Sequence, residues 1–424
     1  MKNFIVKGNF CYSKNIDELI TKENCYAVCV DSICQGVFEH IPKDFEALPV
    51  LDYTDKLIIP GLVDLHLHAP QFAFRGMNMD MELLQWLDTN AFCEEAKYSD
   101  LDYAKKAYSI FADCIKNSAT TRACIFATIH NKSTELLMDM MENSGLVSFV
   151  GKVNMDRNSI KSLCEESAQI SALDTESFIA DTLDKYENTK PIITPRFVPS
   201  CSDELLKKLG ELQKKYAVPV QSHLSENLDE IQWVKELCPD SKSYADAYDR
   251  FSLFGNGAKT IMAHCVHLND DEIELIKKNE VFVAHCPASN INLRSGISPV
   301  RKLMDKDLKI GLGRDVAGGE TISMFSTIVQ TIKSSKLYQR LVNSSFSALT
   351  FENAFYLATK GGGEFFGKVG SFEKGYEFDA VIIDDSVLPH PQELNIRQRV
   401  ERSVYLSADL LSINAKFVKG KKII

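Results

Sequence analysis

Between residues 60 and 313, eight short apolar runs alternate with longer stretches whose apolar residues recur at helical spacing. No other feature restricts the fold of this chain so strongly. The runs are Leu62 to Leu67, Thr121 to Ile129, Leu146 to Val153, Ile192 to Phe197, Val218 to His223, Thr260 to Cys265, Val281 to Cys286 and Lys309 to Gly313. Between them, Glu135 to Asn143, Asp203 to Tyr216, Leu228 to Leu237 and Asp270 to Lys278, and after the last of them Met324 to Leu337, carry the helical period. Eight strands alternating with helices form the pattern of an α/β protein of the (β/α)8 TIM-barrel type. A doubly wound sheet is the competing arrangement. The strand count and the lack of a GxGxxG after any strand argue against it. Gly361-Gly362-Gly363 follows an apparent helix, Glu352 to Thr359, and reads as a helix stop rather than a phosphate loop.

The two ends have a different texture. Phe4-Ile5-Val6, Cys25 to Val30 and Gly36-Val37-Phe38 are β-rich runs broken by turn residues. Ala380 to Ile383 and Ala415 to Val418 repeat that texture, and Lys419-Gly420-Lys421 reads as a hairpin turn. The expectation is a small β-sandwich domain formed by residues 1–59 and 367–424, flanking a catalytic barrel over 60–366.

Composition excludes several classes. Lys plus Arg number 48 against 58 Asp plus Glu, a net charge of −10, so the chain lacks the basic footprint of a nucleic-acid or anionic-lipid binder. No window approaches a membrane span. The segment MKNFIVKGNF has only a three-residue apolar run before Lys7, too short for a signal-peptide core. Twelve cysteines without CxxC spacing suit reduced thiols and a cytoplasmic setting. Cys25, Ala27 and Cys29 fall on one strand face, which favours small core residues over a metal site.

Six of the nine histidines stand at or just past the C-terminal ends of the proposed strands: His66, His68, His130, His223, His264 and His285. A barrel builds its active site at that face. His66 and His68 are two residues apart, and strand alternation aims both imidazoles to one side. They are either a metal-ligand pair or two buried, hydrogen-bonded histidines. His223 could add a third nitrogen, and Asp315, after the eighth run, an oxygen. Three histidines and a carboxylate suit zinc, with iron(II) as the alternative. Asp315 could instead cap a helix ahead of Val316. Glu226, three residues past His223, could move protons beside a metal-bound water or be an ordinary first-turn glutamate. His264 could orient the water or polarise a substrate group. His130, His267 and His285 carry no comparable argument.

The segments PGLVDLHLHAPQ at 60–71, VPVQSHLSE at 218–226, AHCVHL at 263–268, AHCPASN at 284–290 and GLGRDVAGG at 311–319 resemble the amidohydrolase superfamily, in its order and on its strands. KVGSFEKGYEFDAVIID at 368–384 resembles the return into its terminal β domain. Ala69-Pro70-Gln71, LLQWL at 83–87 and PRFVPSC at 195–201 are similar to the guanine-deaminating branch of that superfamily. The resemblance implies one zinc per subunit on His66, His68, His223 and Asp315. It implies Glu226 as proton shuttle, Asp315 and His264 as aids to the nucleophilic water, and Gln71, Arg196 and Phe197, with His68 and His223, around guanine. It further implies a homodimer with no macromolecular ligand. Arg196 offers a planar fork that matches O6 and N7 of guanine, although a barrel-end salt bridge is its ordinary use. Arg314 departs from the small or hydroxyl residue expected ahead of Asp315, and strand alternation turns it away from the site. The competing readings are deamination of another heteroaromatic amine, such as a pterin or triazine, and a non-catalytic scaffold.

Overall fold

The computed structural model describes residues 3–255, 257–407 and 412–424. The terminal segments drawn above include residues 1–2 and 408–411, which lie outside the described residues. Strands β1 (Phe4–Ser13), β2 (Leu19–Val30), β3 (Ile33–Phe38) and β4 (Val50–Pro60) come from the N-terminal segment. The barrel strands are β5 (Leu62–His68), β6 (Thr120–Phe126), β7 (Val147–Gly151), β8 (Val153–Asn154), β9 (Thr189–Pro191), β10 (Thr194–Pro195), β11 (Val220–Leu224), β12 (Thr260–His264), β13 (Phe282–His285) and β14 (Lys309–Leu312). The C-terminal segment adds β15 (Ala380–Asp384), β16 (Ser412–Val418) and β17 (Lys421–Lys422).

Both ends of the chain enter one seven-stranded sheet, ordered β17-β16-β15-β4-β1-β2-β3. The sandwich expected from the sequence is thus a single sheet in its strand pairing. It curls: Cys34 N–H donates to Tyr376 O and Phe378 N–H to Ser32 O, carrying the β3 edge round toward the segment before β15. Register shifts in β1, β2 and β15 supply the local bending. Inside the curl lie Phe4, Val6, Phe10, Phe372, Phe378 and Phe417 with Cys25, Ala27 and Cys29, all buried. These cysteines serve as small core residues, and no disulfide joins the described residues.

Strands β5-β6-β7-β9 and β11-β12-β13-β14 form two parallel four-stranded sheets. Backbone bonds close them into a ring. On one seam Ile193 N–H donates to Pro219 O (3.0 Å) and Gln221 N–H to Ile193 O (2.9 Å). On the other, Asp315 N–H donates to His66 O (2.9 Å) and His68 N–H to Val316 O (3.1 Å). The third apolar run is broken in two, β7 with β8, whereas the fourth, Ile192 to Phe197, holds only β10, and β9 lies just ahead of it. Pro191 ends β9 and Pro195 ends β10, and neither has an N–H to offer the ladder.

Helices Asp203–Tyr216, Leu228–Leu237, Asp270–Lys278 and Met324–Leu337 match the periodic segments. Asn131–Ser144 starts four residues ahead of its apolar period, and Leu101–Lys116 and Ala168–Thr182 complete the outer layer. Side-chain caps set several starts: Ser202 accepts from Leu205 N–H, and Asn227 and Asn269 form capping boxes with Glu230 and Glu272. The glycine run lies within the last helical turns, against the barrel floor. A Cβ at Gly311 would stand 2.8 Å from the Gly362 Cα, so these glycines permit close approach of the two backbones. No helix among the described residues is long and apolar enough to cross a membrane.

Candidate active site

The strand ends converge. His66 and His68 leave β5 on one side, His223 leaves β11, His264 ends β12, and Asp315 follows β14. His66 Nε2 lies 3.1 Å and His68 Nε2 3.4 Å from Asp315 Oδ1. His68 Nε2 and His223 Nε2 are 3.2 Å apart. His264 Nε2 is 3.3 Å from Glu226 Oε2 and 3.7 Å from Asp315 Oδ2. Ser225, His264, Cys265 and Asp315 all have positive φ, between 48° and 72°. Side chains rarely adopt this backbone, which costs about 1–3 kcal/mol per residue and clusters at functional sites. Asp315 therefore caps no helix; the next one starts at Met324 behind Ser323. Glu226 precedes the Asn227 cap rather than sitting in the first turn, and its buried side chain accepts a hydrogen bond from Ser295 Oγ at 3.1 Å.

Hydrogen bonds orient the imidazoles. His223 Nδ1 lies 2.5 Å from Arg196 O. A carbonyl only accepts, so Nδ1 carries the proton and Nε2 turns a lone pair to the cavity. His264 Nδ1 is held by Asn290 Oδ1 at 2.8 Å. Burial pushes His66 down and His68 and His223 far down from the ordinary imidazole value. Burial would raise Asp315, but His66, His264 and His68 around it hold its carboxyl well below the carboxylate range. Glu226 goes the other way: burial, then Asp315 and Glu230, push it well up. Two neighbouring carboxyl groups driven apart in this way suit an acid and a base.

The donor set fits a metal ion. Ligand atoms of His66, His68 and Asp315, and of His66, His223 and His264, lie within 4.8 Å of one another. Both ring nitrogens of fully buried His66, and Nδ1 of His68, have no hydrogen-bond partner. Unpartnered buried polar atoms cost about 1–3 kcal/mol each, and a cation at this point satisfies the inward-facing ones.

A cavity opens onto these groups, lined also by Gln71, Leu83, Trp86, Arg196, Phe197 and Leu293. Its polar wall is already paired. Arg196 Nη1 and Nη2 donate to the two Glu95 oxygens at 2.5 and 3.0 Å. Gln71 Nε2 donates to Glu95 Oε1 at 2.9 Å, and Gln71 Oε1 accepts from Ala317 N–H at 3.0 Å. Arg196 is thus both a cavity residue and a salt-bridge partner. Phe197 packs edge-on to Trp233, with centroids 6.3 Å apart.

A match to the Amidohydrolase family spans residues 57–422. The chain belongs to the amidohydrolase family. It is 41% identical over 416 residues to a guanine deaminase of Dictyostelium discoideum, covering 92% of this chain and 91% of that one. The solved guanine deaminase of C. acetobutylicum with bound guanine is 46% identical, with a TM-score of 0.96 and full coverage of both chains. The solved E. coli guanine deaminase is 30% identical, with a TM-score of 0.89 over 99% of each chain.

In this amidohydrolase the structure brings His66, His68, His223, His264, Glu226 and Asp315 together, and Gln71, Arg196 and Phe197 line the same cavity. His285 is buried near the site with both ring nitrogens unpartnered, and burial followed by His264 lowers it to about 3. His130 lies at the start of helix Asn131–Ser144, and His267 Nε2 is held by Ser295 O. Arg314 turns away as alternation required, into a buried pair with Asp64. Sequence reasoning missed Glu95, Glu230, Asn290 and Asp64. Glu230 accepts from Glu226 N–H, Asn227 N–H and Tyr244 O–H, and the capping-box spacing of Asn227 and Glu230 was its available signal.

Proposed function

We propose that this chain is a zinc-dependent guanine deaminase, converting guanine and water into xanthine and ammonia. The observation that carries the reading is the cavity in which Gln71, Arg196 and Phe197 face the His66–His68–His223–Asp315 cluster, in a chain alike over its full length to a guanine-bound guanine deaminase. His66, His68, His223 and Asp315 would hold one ion. When bound, zinc supplies the Lewis acidity that makes water a nucleophile near neutral pH.

The chain's own groups do the rest. Arg196 presents donors toward O6 and N7, Gln71 one donor and one acceptor toward the opposite ring edge, and Phe197 an apolar wall. Asp315, with His264, orients the attacking water and takes its proton as the new C2–O bond forms. Glu226, whose burial favours its protonated form, delivers a proton to N3. Glu226 then takes the proton of the new C2 hydroxyl and passes it to the amino group, the C2–N bond breaks and ammonia leaves, and the proton held by Asp315 returns to Glu226. The cavity, with each acid and base within about 4 Å of a neighbour, needs no large motion for these transfers. Twelve cysteines without CxxC spacing support a cytoplasmic setting, and the family resemblance supports a homodimer.

An ultraviolet assay of guanine loss and xanthine appearance, with metal counted on the same sample, tests this reading. Xanthine formation abolished by chelator and restored by zinc is the expected result. Fully metallated protein that leaves guanine untouched overturns it and passes the question to other heteroaromatic amines.

A further inference from the structure

Among the described residues Glu95 is the one carboxylate that touches both polar arms of the purine-facing wall, and none of the chemistry above uses it. We propose that Glu95 is a positioning residue that sets the charge and hydrogen-bond polarity of the pocket, and thereby its preference for an uncharged oxopurine over an anionic one. The inference rests on the guanine reading.

The Glu95 side chain is 1% exposed and that of Arg196 3%, so neither charge is answered by bulk water. Glu95 ends the short helix Phe92–Glu95, and the Phe92 ring lies under the guanidinium, 4.9 Å from centroid to carbon. One helical turn therefore grips Arg196 by its face and by its edge. Of the five guanidinium N–H donors, Glu95 takes two. It also fixes Gln71. With the amide nitrogen against the carboxylate and the amide oxygen on Ala317 N–H, a flipped amide would set oxygen against oxygen and N–H against N–H. Gln71 then offers the ligand one donor and one acceptor in a determined order. Ala317 lies two residues past Asp315, so the same amide ties the purine wall to the strand end that bears the metal-facing carboxylate.

With Glu95 ionised, the wall is electrically balanced and takes a neutral ring. Without it, the buried guanidinium seeks an anion. Xanthine, the product of the proposed reaction, ionises near neutral pH and so reports on both forms in one pocket. The experiment compares xanthine inhibition below and above its ionisation in wild type, Glu95→Gln, Glu95→Asp, Arg196→Gln and the double variant Glu95→Gln/Arg196→Gln, all metal-loaded and checked for metal content. Wild type should lose xanthine affinity as the ligand becomes anionic. Glu95→Gln should reverse that sign, binding the anion about tenfold tighter than wild type while guanine KM rises more than kcat falls. Glu95→Asp should restore much of the guanine KM, and the double variant should lose the gain for the anion. Arg196→Gln, which leaves the carboxylate unanswered, should reject the anion more strongly than wild type.

A merely structural role would weaken both forms of xanthine together. That outcome, or an unchanged preference in Glu95→Gln, overturns the proposal. Should Glu95→Gln fail to fold, wild-type affinity for the anion in Arg196→Gln overturns it equally. Wild type that does not deaminate guanine refutes the proposed function instead, while the direction of the xanthine preference still reads on Glu95.

Discussion

Arg314 and Asp64 form an ion pair in which both side chains are 0% exposed. The guanidinium Nε donates to Asp64 Oδ2, and Nη1 donates to Ile322 O. Asp64 Oδ1 also accepts from His66 N–H at 3.2 Å and Arg314 N–H at 3.1 Å. The pair therefore buttresses β5 and the end of β14 directly beneath His66 and Asp315. Replacing Arg314 by Met removes one charge and strands the other. Breaking a buried pair from one side costs about 3–5 kcal/mol, most of it the uncompensated charge. Replacing Asp64 by Asn in the same chain removes that charge but keeps an Oδ1 acceptor for the two backbone donors. The double variant should therefore recover at least about 2 kcal/mol over the sum of the single effects. Urea unfolding of all four forms at one fixed zinc concentration measures the cycle. A loss under about 1 kcal/mol in Arg314→Met, or strict additivity in the cycle, refutes the view that the pair is charge-coupled and buttresses the metal-facing strands.

Three further outcomes follow from the site and its supports. Glu226→Gln should keep zinc and lose about 100-fold or more in kcat, because the ligand cluster is intact while the proton carrier is gone; unchanged kcat removes the shuttle role. His66→Ala should lose metal and turnover together, and full occupancy measured by atomic absorption would mean the ligand set is wrong. Removing zinc with a chelator should lower the urea stability by about 2.7 kcal/mol relative to protein at a hundredfold excess over Kd, and a midpoint that ignores zinc would show that the cluster binds no metal in the folded state.

Local signals carried much of this fold in the sequence. The period of Asp203–Tyr216 and Asp270–Lys278, with Ser202 and Asn269 ahead of them, fixes helix starts from a few adjacent residues. His66 and His68 were legible as a same-side pair because strand alternation is a local rule. What escaped depends on distant partners. Arg196 meets Glu95 across 101 positions and Arg314 meets Asp64 across 250, and nothing near either residue announces the match. The stretch from Ala69 to Ser99 was opaque for another reason. It is a series of short turns and helical fragments, four to six residues each, that no single period describes. It nonetheless supplies Gln71, Trp86 and Glu95, and so builds one whole wall of the cavity. The β-rich ends were read as one small domain, but the curl of their sheet was not, since register shifts inside β1, β2 and β15 leave no mark in apolar alternation.

The two ends of the barrel divide the physical work. At the floor, Arg122 on β6 donates to Asp379 at 2.7 and 3.1 Å and to Glu377 at 2.9 Å, and Asp379 also accepts from Lys419 N–H, so the terminal sheet is fastened to the ring by buried polar contacts. Lys416 Nζ donates to the carbonyls of Lys116, Ser118 and Thr120, closing the C-terminal end of helix Leu101–Lys116. At the rim the balance is reversed. Left-handed backbone at Ser225, His264, Cys265 and Asp315, unpartnered imidazole nitrogens and two unlike carboxyl groups all cost stability. A bound cation and substrate offset part of that cost only at the rim. Substitutions at the floor should therefore lower stability in the metal-free and metal-loaded protein alike. Substitutions at the rim should change mainly the difference between the two states. Urea midpoints of Arg122→Met and His66→Ala, each taken with and without zinc, separate these cases: a zinc-dependent loss in Arg122→Met, or a zinc-independent one in His66→Ala, contradicts the division.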